Sequence, residues 1–374
     1  MEFWRLFLNP HVPLSIAEGL AIDDTLPRSV AERGAPPTLH LYTFVPSAIV
    51  GKYQDIEAAL RLERCRARGI EFNRRSTGGG TVIMGPAIVA LGLGINVDHP
   101  NLKPGVGGVF ESLSRVLARA LAAFGIESYF QPKNDLEVAG RKIAGLSAAC
   151  ETGKSLLFHT SLLVDFDLDL MTDIMLTPLI KIQDKGYNCF SQRMTTVRRE
   201  CGSRVSVRRV MQEIVTAFEA EFKISFREER PDEWERASVG ELIESRYTRR
   251  DWVFSHRHPR ARMGIGRLKT RAGLLEIYLS LAGGSIENVL ITGGFFRRPG
   301  GHPPPRERFE MDLLPPGQNR GEPLGRVARG HDPWAGRADP DRGHPEGQGE
   351  PGTALKFEKQ GHRGQRKRPE QRNE

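Results

Sequence analysis

Through Phe296 the apolar residues follow two periods, one helical and one alternating, and the switches between them divide the chain into elements. Ser15 and Glu18 have capping-box spacing, so a helix is expected to open there and run to about Asp24 or beyond, with Ile16, Ala17 and Leu20 on one face. Residues 39–44 alternate and read as a strand, and 48–51 as a second. Residues 55–68 predict one amphipathic helix with Ile56, Leu60 and Leu62 inward, stopped by Gly69. Residues 70–72 enter a sheet, followed by a glycine turn at Gly78, Gly79 and Gly80 and by strands over 81–84 and 88–97. Residues 106–124 carry Val109, Phe110, Leu113, Val116, Leu117, Ala120 and Leu121 at helical spacing. A tight hairpin is expected around Ala139-Gly140, with 142–149 and 156–164 as adjacent antiparallel strands. Helices over 206–222 and 232–244 and two or three strands over 264–281 and 286–292 complete the pattern. Strands outnumber helices and the helices cluster between them, which predicts an α+β fold with a mixed or antiparallel central sheet flanked by helices.

Composition alters this picture only after Phe296. The stretch 297–374 holds 13 Gly and 12 Pro with no hydrophobic period, and reads as a disordered tail that cannot offset its ordering entropy. The net charge of +8 would raise a nucleic-acid partner, but the tail carries 16 Lys/Arg against 12 Asp/Glu and the rest 38 against 34. The folded part is therefore nearly balanced, and nucleic acid is not the expected partner. Cys65, Cys150, Cys189 and Cys201 lie far apart with no C-x-x-C, which argues against a zinc site and a disulfide framework and fits a reducing, cytoplasmic setting. The uncharged run 82–97 is broken by Gly85-Pro86, Gly92 and Gly94 and falls short of the ~20 residues a membrane helix needs. The first ten residues are too short and broken for a signal peptide.

Two segments carry chemistry. Arg74-Arg75-Ser76-Thr77-Gly78-Gly79-Gly80-Thr81 joins two cations to a glycine triplet, whose backbone can approach an anion closely. Taken alone, such a run is as readily a flexible hairpin turn, and it is not a P-loop because Gly80 leads into a strand. Asn134-Asp135 is followed by Gly140-Arg141-Lys142-Ile143-Ala144-Gly145. Alternation places Lys142, Ala144 and Leu146 on one strand face, Ile143 and Gly145 on the other, and small neighbours leave room for a ligand at the ammonium. Alone, Lys142 is as well a solvated strand lysine, and Asn134-Asp135 a turn.

Together and in this order, Arg-Arg-x-x-Gly-Gly-Gly, Asn-Asp and Gly-Arg-Lys-x-x-Gly resemble the lipoate–protein ligases of the biotin/lipoate ligase superfamily. Residues 17–24 are similar to that family's first helix, 50–54 to its early glycine–glutamine segment, 158–163 to its His-Gly-Thr-Leu-Leu strand, and 185–195 to its Lys-Gly-x-x-Ser-x-x-Ser-Arg-Val-Thr block. Residues 273–279, 284–286 and 291–296 resemble the accessory domain of long ligases. The resemblance implies a catalytic domain over 1–230, a partial accessory domain over 231–296, and the tail over 297–374. It implies ATP-dependent activation of lipoic acid to lipoyl-AMP, with Mg2+, and transfer to a lysine of apo lipoyl domains of 2-oxoacid dehydrogenases or the glycine cleavage H protein. By the same carry-over, Lys142 contacts the acyl carbonyl and α-phosphate, Arg74, Arg75 and the segment Ser76, Thr77, Gly78, Gly79, Gly80 and Thr81 cover the acyl-adenylate, Asn134 and Asp135 meet nucleotide and magnesium, and Gly145 and His159 complete the site. His159 is read either as a ligand contact or as a packed strand histidine. The chain departs from the family pattern at 83–87 and at Thr160, where the family has glycine. A second class, octanoyl or lipoyl transferases taking the acyl group from a carrier protein, uses a cysteine nucleophile, and here Leu156 and Asn134-Asp135 stand where those cysteines fall. A lipoate-binding relative without turnover is the third reading. The resemblance fails at Gly294 and vanishes after Phe296, and the Arg/Gly/Pro-rich sequence that follows predicts a frameshift near codons 293–298 that truncates the accessory domain.

Overall fold

A computed structural model describes residues 2–131, 134–152, 154–176, 193–202, 205–255, 263–270, 273–282 and 285–295. Lys133, Cys189, most of the 185–195 block, the tail and half of the expected frameshift region lie outside the described residues. The strands are β1 (Glu2–Leu8), β2 (Thr38–Tyr42), β3 (Ser47–Val50), β4 (Glu71–Arg74), β5 (Val82–Met84), β6 (Ile88–Asn96), β7 (Tyr129–Gln131), β8 (Asp135–Val138), β9 (Arg141–Thr152), β10 (Ser155–Leu163), β11 (Ile224–Glu228), β12 (Met263–Thr270), β13 (Gly273–Ala282) and β14 (Ser285–Phe295). The helices are α1 (Ile16–Arg33), α2 (Ile56–Ala59), α3 (Leu62–Ala67), α4 (Gly105–Ala122), α5 (Leu168–Ile174), α6 (Val197–Cys201), α7 (Val207–Phe222), α8 (Glu233–Leu242) and α9 (Arg250–Val253), with one π turn over Ile243–Tyr247.

An 8-stranded sheet runs in the order β11-β1-β2-β6-β10-β9-β8-β7. Its first three strands are parallel and the rest antiparallel, so the fold is α+β with a mixed central sheet flanked by helices. Alternation along β6 decides what covers each face. Val89, Leu91, Leu93 and Ile95 join the large core under α4 and α7. Ala90, Gly92 and Gly94 face α1, and a Cβ at Gly94 would stand 2.5 Å from Leu26 Cβ, so the glycine lets the helix lie directly on the sheet. A 3-stranded sheet, β4-β3-β5, flanks α1 through Ile49 and Met84. The strands β12, β13 and β14 form a separate antiparallel sheet.

The Ser15–Glu18 capping box is present and α1 continues to Arg33, where Gly34 ends it at φ 65°. The predicted helix over 55–68 is two helices. Leu60 turns extended at φ −130° and bridges Met175, and the helix restarts at Leu62. Leu60 is buried by that bridge, so burial and helical continuity compete there and burial wins. The 139–140 hairpin forms with both residues at positive φ, 47° and 76°, as a two-residue turn between twisted strands requires.

The chain from 229 to 253 is bonded to β1, α1 and β4. Arg5 of β1 donates to Glu235 of α8 at 2.8 and 2.7 Å and to Glu229 at 3.0 Å. Asp24 accepts from Tyr247 Oη at 2.5 Å and from Arg246 at 2.7 Å. Trp252 Nε1 donates to the Arg74 carbonyl at 3.0 Å.

Candidate active site

Asp23 continues the apolar stripe Ile16–Leu20 of α1 and so points into the protein, where it is buried. Gly92 makes room for it, because a Cβ there would lie 2.1 Å from Asp23 Oδ1. The cross-strand partners of Gly92 are His40 on β2 and His159 on β10, so the carboxylate sits between two imidazoles. His40 Nδ1 lies 3.0 Å from Oδ1, Tyr42 Oη donates to Oδ2 at 3.0 Å, and His159 Nδ1 lies 3.7 Å from Oδ2. Burial pushes the Asp23 carboxyl up, but the hydrogen bonds from His159 and His40 and their charges together outweigh it and hold the group below its usual range. On its other edge His159 Nε2 meets Thr77 Oγ1 at 2.5 Å. Asp23, Tyr42 and Gly92 went unnoticed as site residues in the sequence; the available signal was a carboxylate on the apolar stripe of an amphipathic helix.

The glycine loop is held from behind by two buried arginines. Arg74 donates Nε to Trp252 O at 3.0 Å, Nη1 to the carbonyls of Gly51, Lys52 and Gln54 at 3.0, 2.9 and 2.5 Å, and Nη2 to Val253 O at 3.1 Å. Arg75 donates to Thr77 Oγ1 at 3.1 Å and to the carbonyls of Gly78 and Gly80 at 2.7 and 2.8 Å. Burial lowers both guanidinium groups to about 10, with the Arg74 charge adding to the effect on Arg75. Ser76 Oγ donates to Asp24 at 2.5 Å and Ser147 Oγ to Gly78 O at 3.1 Å. Gly79 adopts φ 99°, and a Cβ at Gly51 would fall 2.1 Å from Gly79 O, so the loop packs flat on the β3 end.

Lys142 stands at the start of β9, and here the expected alternation is corrected. Leu136 pairs with Ala144 but Glu137 pairs with Lys142, which leaves Ile143 as a bulge. The extra residue reverses the face, so Ile143, Ala144 and Leu146 enter the main core while Lys142 and Gly145 share the other side. A Cβ at Gly145 would be 2.7 Å from Lys142 Nζ. The ammonium pairs with Asp135 Oδ1 at 2.8 Å, and Arg193 holds Asp135 Oδ2 at 2.7 Å and Glu137 at 2.6 Å. Asn134 is pinned across the strand, donating Nδ2 to Leu146 O at 3.1 Å.

These parts surround a cavity of about 110 Å³ between α1, the main sheet and β5. One end is apolar, formed by Leu20, Tyr42, Phe44, Ile49, Val82 and Met84. The other is polar and carries Arg75, Gly80, Thr81, Asn134, Lys142, Gly145 and His159, seven of the residues picked out in the sequence. Arg74, Ser76, Thr77, Gly78 and Gly79 lie behind the wall, and Asp135 backs Lys142. Among the described residues no group of three His, Cys, Asp or Glu side chains could hold a metal ion. None of the described cysteines lines the cavity: Cys65 is a buried residue of α3, and Cys150 and Cys201 pack at the edge of the main core. No described helix is long and apolar enough to cross a membrane.

Comparison with known proteins bears on this geometry. Octanoyltransferase LipM of Brevibacillus brevis is 24% identical over 276 residues, 67% of this chain and 99% of that protein. Lipoate-protein ligase A subunit 1 of Thermoplasma acidophilum is 27% identical over 244 residues, 62% of this chain and 90% of that one. Among solved structures, the bipartite lipoate protein ligase of Thermoplasma acidophilum, studied with its E2 lipoyl domain, superposes with TM-score 0.60 at 25% identity, covering 70% of this chain and all of that one. The lipoate complex of Plasmodium falciparum LipL1 gives TM-score 0.60 at 17% identity over 78% of this chain and 85% of that one, a likeness of fold. The lipoyl protein ligase A/B catalytic domain matches residues 15–219, and the chain belongs to that family of lipoyl and octanoyl ligases and transferases.

Proposed function

We propose that this enzyme is an ATP-dependent lipoate–protein ligase. The observation that carries the reading is a cavity that joins an apolar lining to the Lys142 ammonium, beside the glycine loop and Asn134. That polarity matches a medium-chain acyl carboxylate lying with its tail between Phe44 and Met84 and its head at Lys142. The carboxylate oxygen attacks the α-phosphorus of ATP, the P–O bond to pyrophosphate breaks, and acyl-AMP forms. Lys142 offsets the repulsion between the two anions and stabilises charge building on phosphorus. An acceptor lysine amine then attacks the acyl carbonyl, AMP leaves, and the amine loses its proton. Magnesium belongs to the nucleotide substrate, and a single carboxylate such as Asp135 suits an ion held mainly by phosphates. The acceptors are apo lipoyl domains of 2-oxoacid dehydrogenases or the glycine cleavage H protein. Residues 1–230 supply the chemistry, and 231–296 are an accessory unit.

The similarity to LipM favours a second reading, transfer of an octanoyl group from a carrier protein through a cysteine. Mass spectrometry of an apo lipoyl domain separates the two. With lipoate and Mg-ATP the ligase modifies the domain, and Lys142→Ala lowers the rate roughly 10²- to 10³-fold. Modification from octanoyl carrier protein without ATP, lost on replacing a cysteine, overturns the ligase.

A further inference from the structure

Phe44 and Tyr42 form the side of the acyl chamber next to α1, and both rings are buried. They reach that position over Gly19. A Cβ at Gly19 would stand 2.5 Å from Phe44 Cε1, 2.9 Å from Phe44 Cζ and 2.6 Å from Tyr42 Cε2. Those separations are about 1 Å short of ordinary carbon contact, so with any larger residue at 19 the rings must move. Tyr42 cannot retreat: its hydroxyl donates to Asp23 at 3.0 Å, and its ring stacks on His40 with centroids 4.0 Å apart at 9°. Phe44 belongs to the same buried cluster as Ile16, Leu20 and Ile88, and it also lines the chamber.

We propose that Gly19 is the residue that sets how long an acyl chain this enzyme accepts, by letting Phe44 lie back against α1. Gly19 touches no substrate itself and acts through Phe44, as a positioning residue for specificity. The inference rests on the acyl-chamber reading of the cavity. Its direction is fixed: a side chain at 19 drives Phe44 into the chamber and removes room at the apolar end, where the tail of a C8 acid or the dithiolane ring of lipoate would lie.

The test measures acyl-AMP formation, as pyrophosphate release, for hexanoate, octanoate, decanoate and lipoate in the full chain. In Gly19→Ala the ratio of kcat/KM for octanoate or lipoate over hexanoate is expected to fall roughly tenfold per methylene excluded. Gly19→Ala combined with Phe44→Leu is expected to restore the ratio, and Phe44→Leu alone to shift it toward decanoate. The double and single Phe44 variants keep the test open if Gly19→Ala folds poorly by thermal melting. An unchanged ratio in Gly19→Ala, or a ratio that Phe44→Leu does not restore, overturns the proposal. If the wild-type chain activates none of the four acids, the ligase reading fails instead.

Discussion

Replacing Arg74 by lysine keeps the charge and removes the planar fork. In the structure the guanidinium donates five hydrogen bonds to backbone carbonyls, three on the 51–54 turn and two at the end of α9. Its ionisation is lowered to about 10 by burial, which corresponds to a cost of about 3 kcal/mol for holding the charge there. A lysine ammonium has at most three donors on a point rather than a fork, so two or more carbonyls lose their partner. Each orphaned carbonyl costs ~1–3 kcal/mol, which puts Arg74→Lys at roughly 3 kcal/mol of lost stability and Arg74→Ala higher. Urea unfolding followed by tryptophan fluorescence reads this as a midpoint lowered by about 1 M or more with the slope unchanged. The reasoning is refuted if Arg74→Lys unfolds at the wild-type midpoint while the KM for acid or ATP rises, for then the guanidinium serves ligand rather than loop.

Two further outcomes follow from the site. Asp23 has a folded-state pKa below its unfolded value, so its contribution is complete above the ordinary carboxylate range and is lost as pH falls through the folded value. The acid limb of stability is therefore expected to be shallower in Asp23→Asn than in wild type as pH falls below the ordinary carboxylate range (roughly one proton less), and parallel limbs would show that the carboxylate is not held ionised by its histidines. Cys150 lies at the core edge with its thiol raised by burial, so Cys150→Ser is expected to leave ATP-dependent modification of a lipoyl domain within roughly twofold; loss of that activity would point to a thioester step.

Local signals carried much of the architecture. Ser15 and Glu18 fix where α1 begins, and Gly140 marks a turn that needs positive φ at both central residues, which Ala139 adopts against its own preference. What escaped depended on distant partners. The break at Leu60 exists because Met175 pairs with it, and β1 and β11 were overlooked because β1 pairs with β2 and β11, and β11 with β1, across long separations in sequence. The cluster of polar residues in the chain was legible as a site, but its inside and outside were not. Seven of the chosen residues face the cavity, whereas Arg74 turns to carbonyls over 170 positions away in sequence, at Trp252 and Val253. The face of Lys142 was mistaken for the opposite reason: one bulged residue, Ile143, inverts a strict alternation.

The contacts made by residues 229–253 separate two lengths of chain that are easily equated. The family match spans 15–219, yet Arg5 finds its counter-charges at Glu229 and Glu235, Asp24 at Arg246, and Arg74 its carbonyls at Trp252 and Val253. A fragment trimmed to the matched residues would keep the cavity walls but take from Asp24 its ion pair with Arg246 and from Arg74 two of its five carbonyls. Leaving a buried charge without its partner costs ~3–5 kcal/mol, a large part of the ~5–15 kcal/mol that holds a domain together. The inherited chemical module is thus smaller than the cooperative folding unit. Substitutions at Glu235 or Tyr247, remote from any substrate, should accordingly lower abundance before they alter catalysis, and a fragment long enough to reach Val253 is the shortest in which the two effects can be told apart.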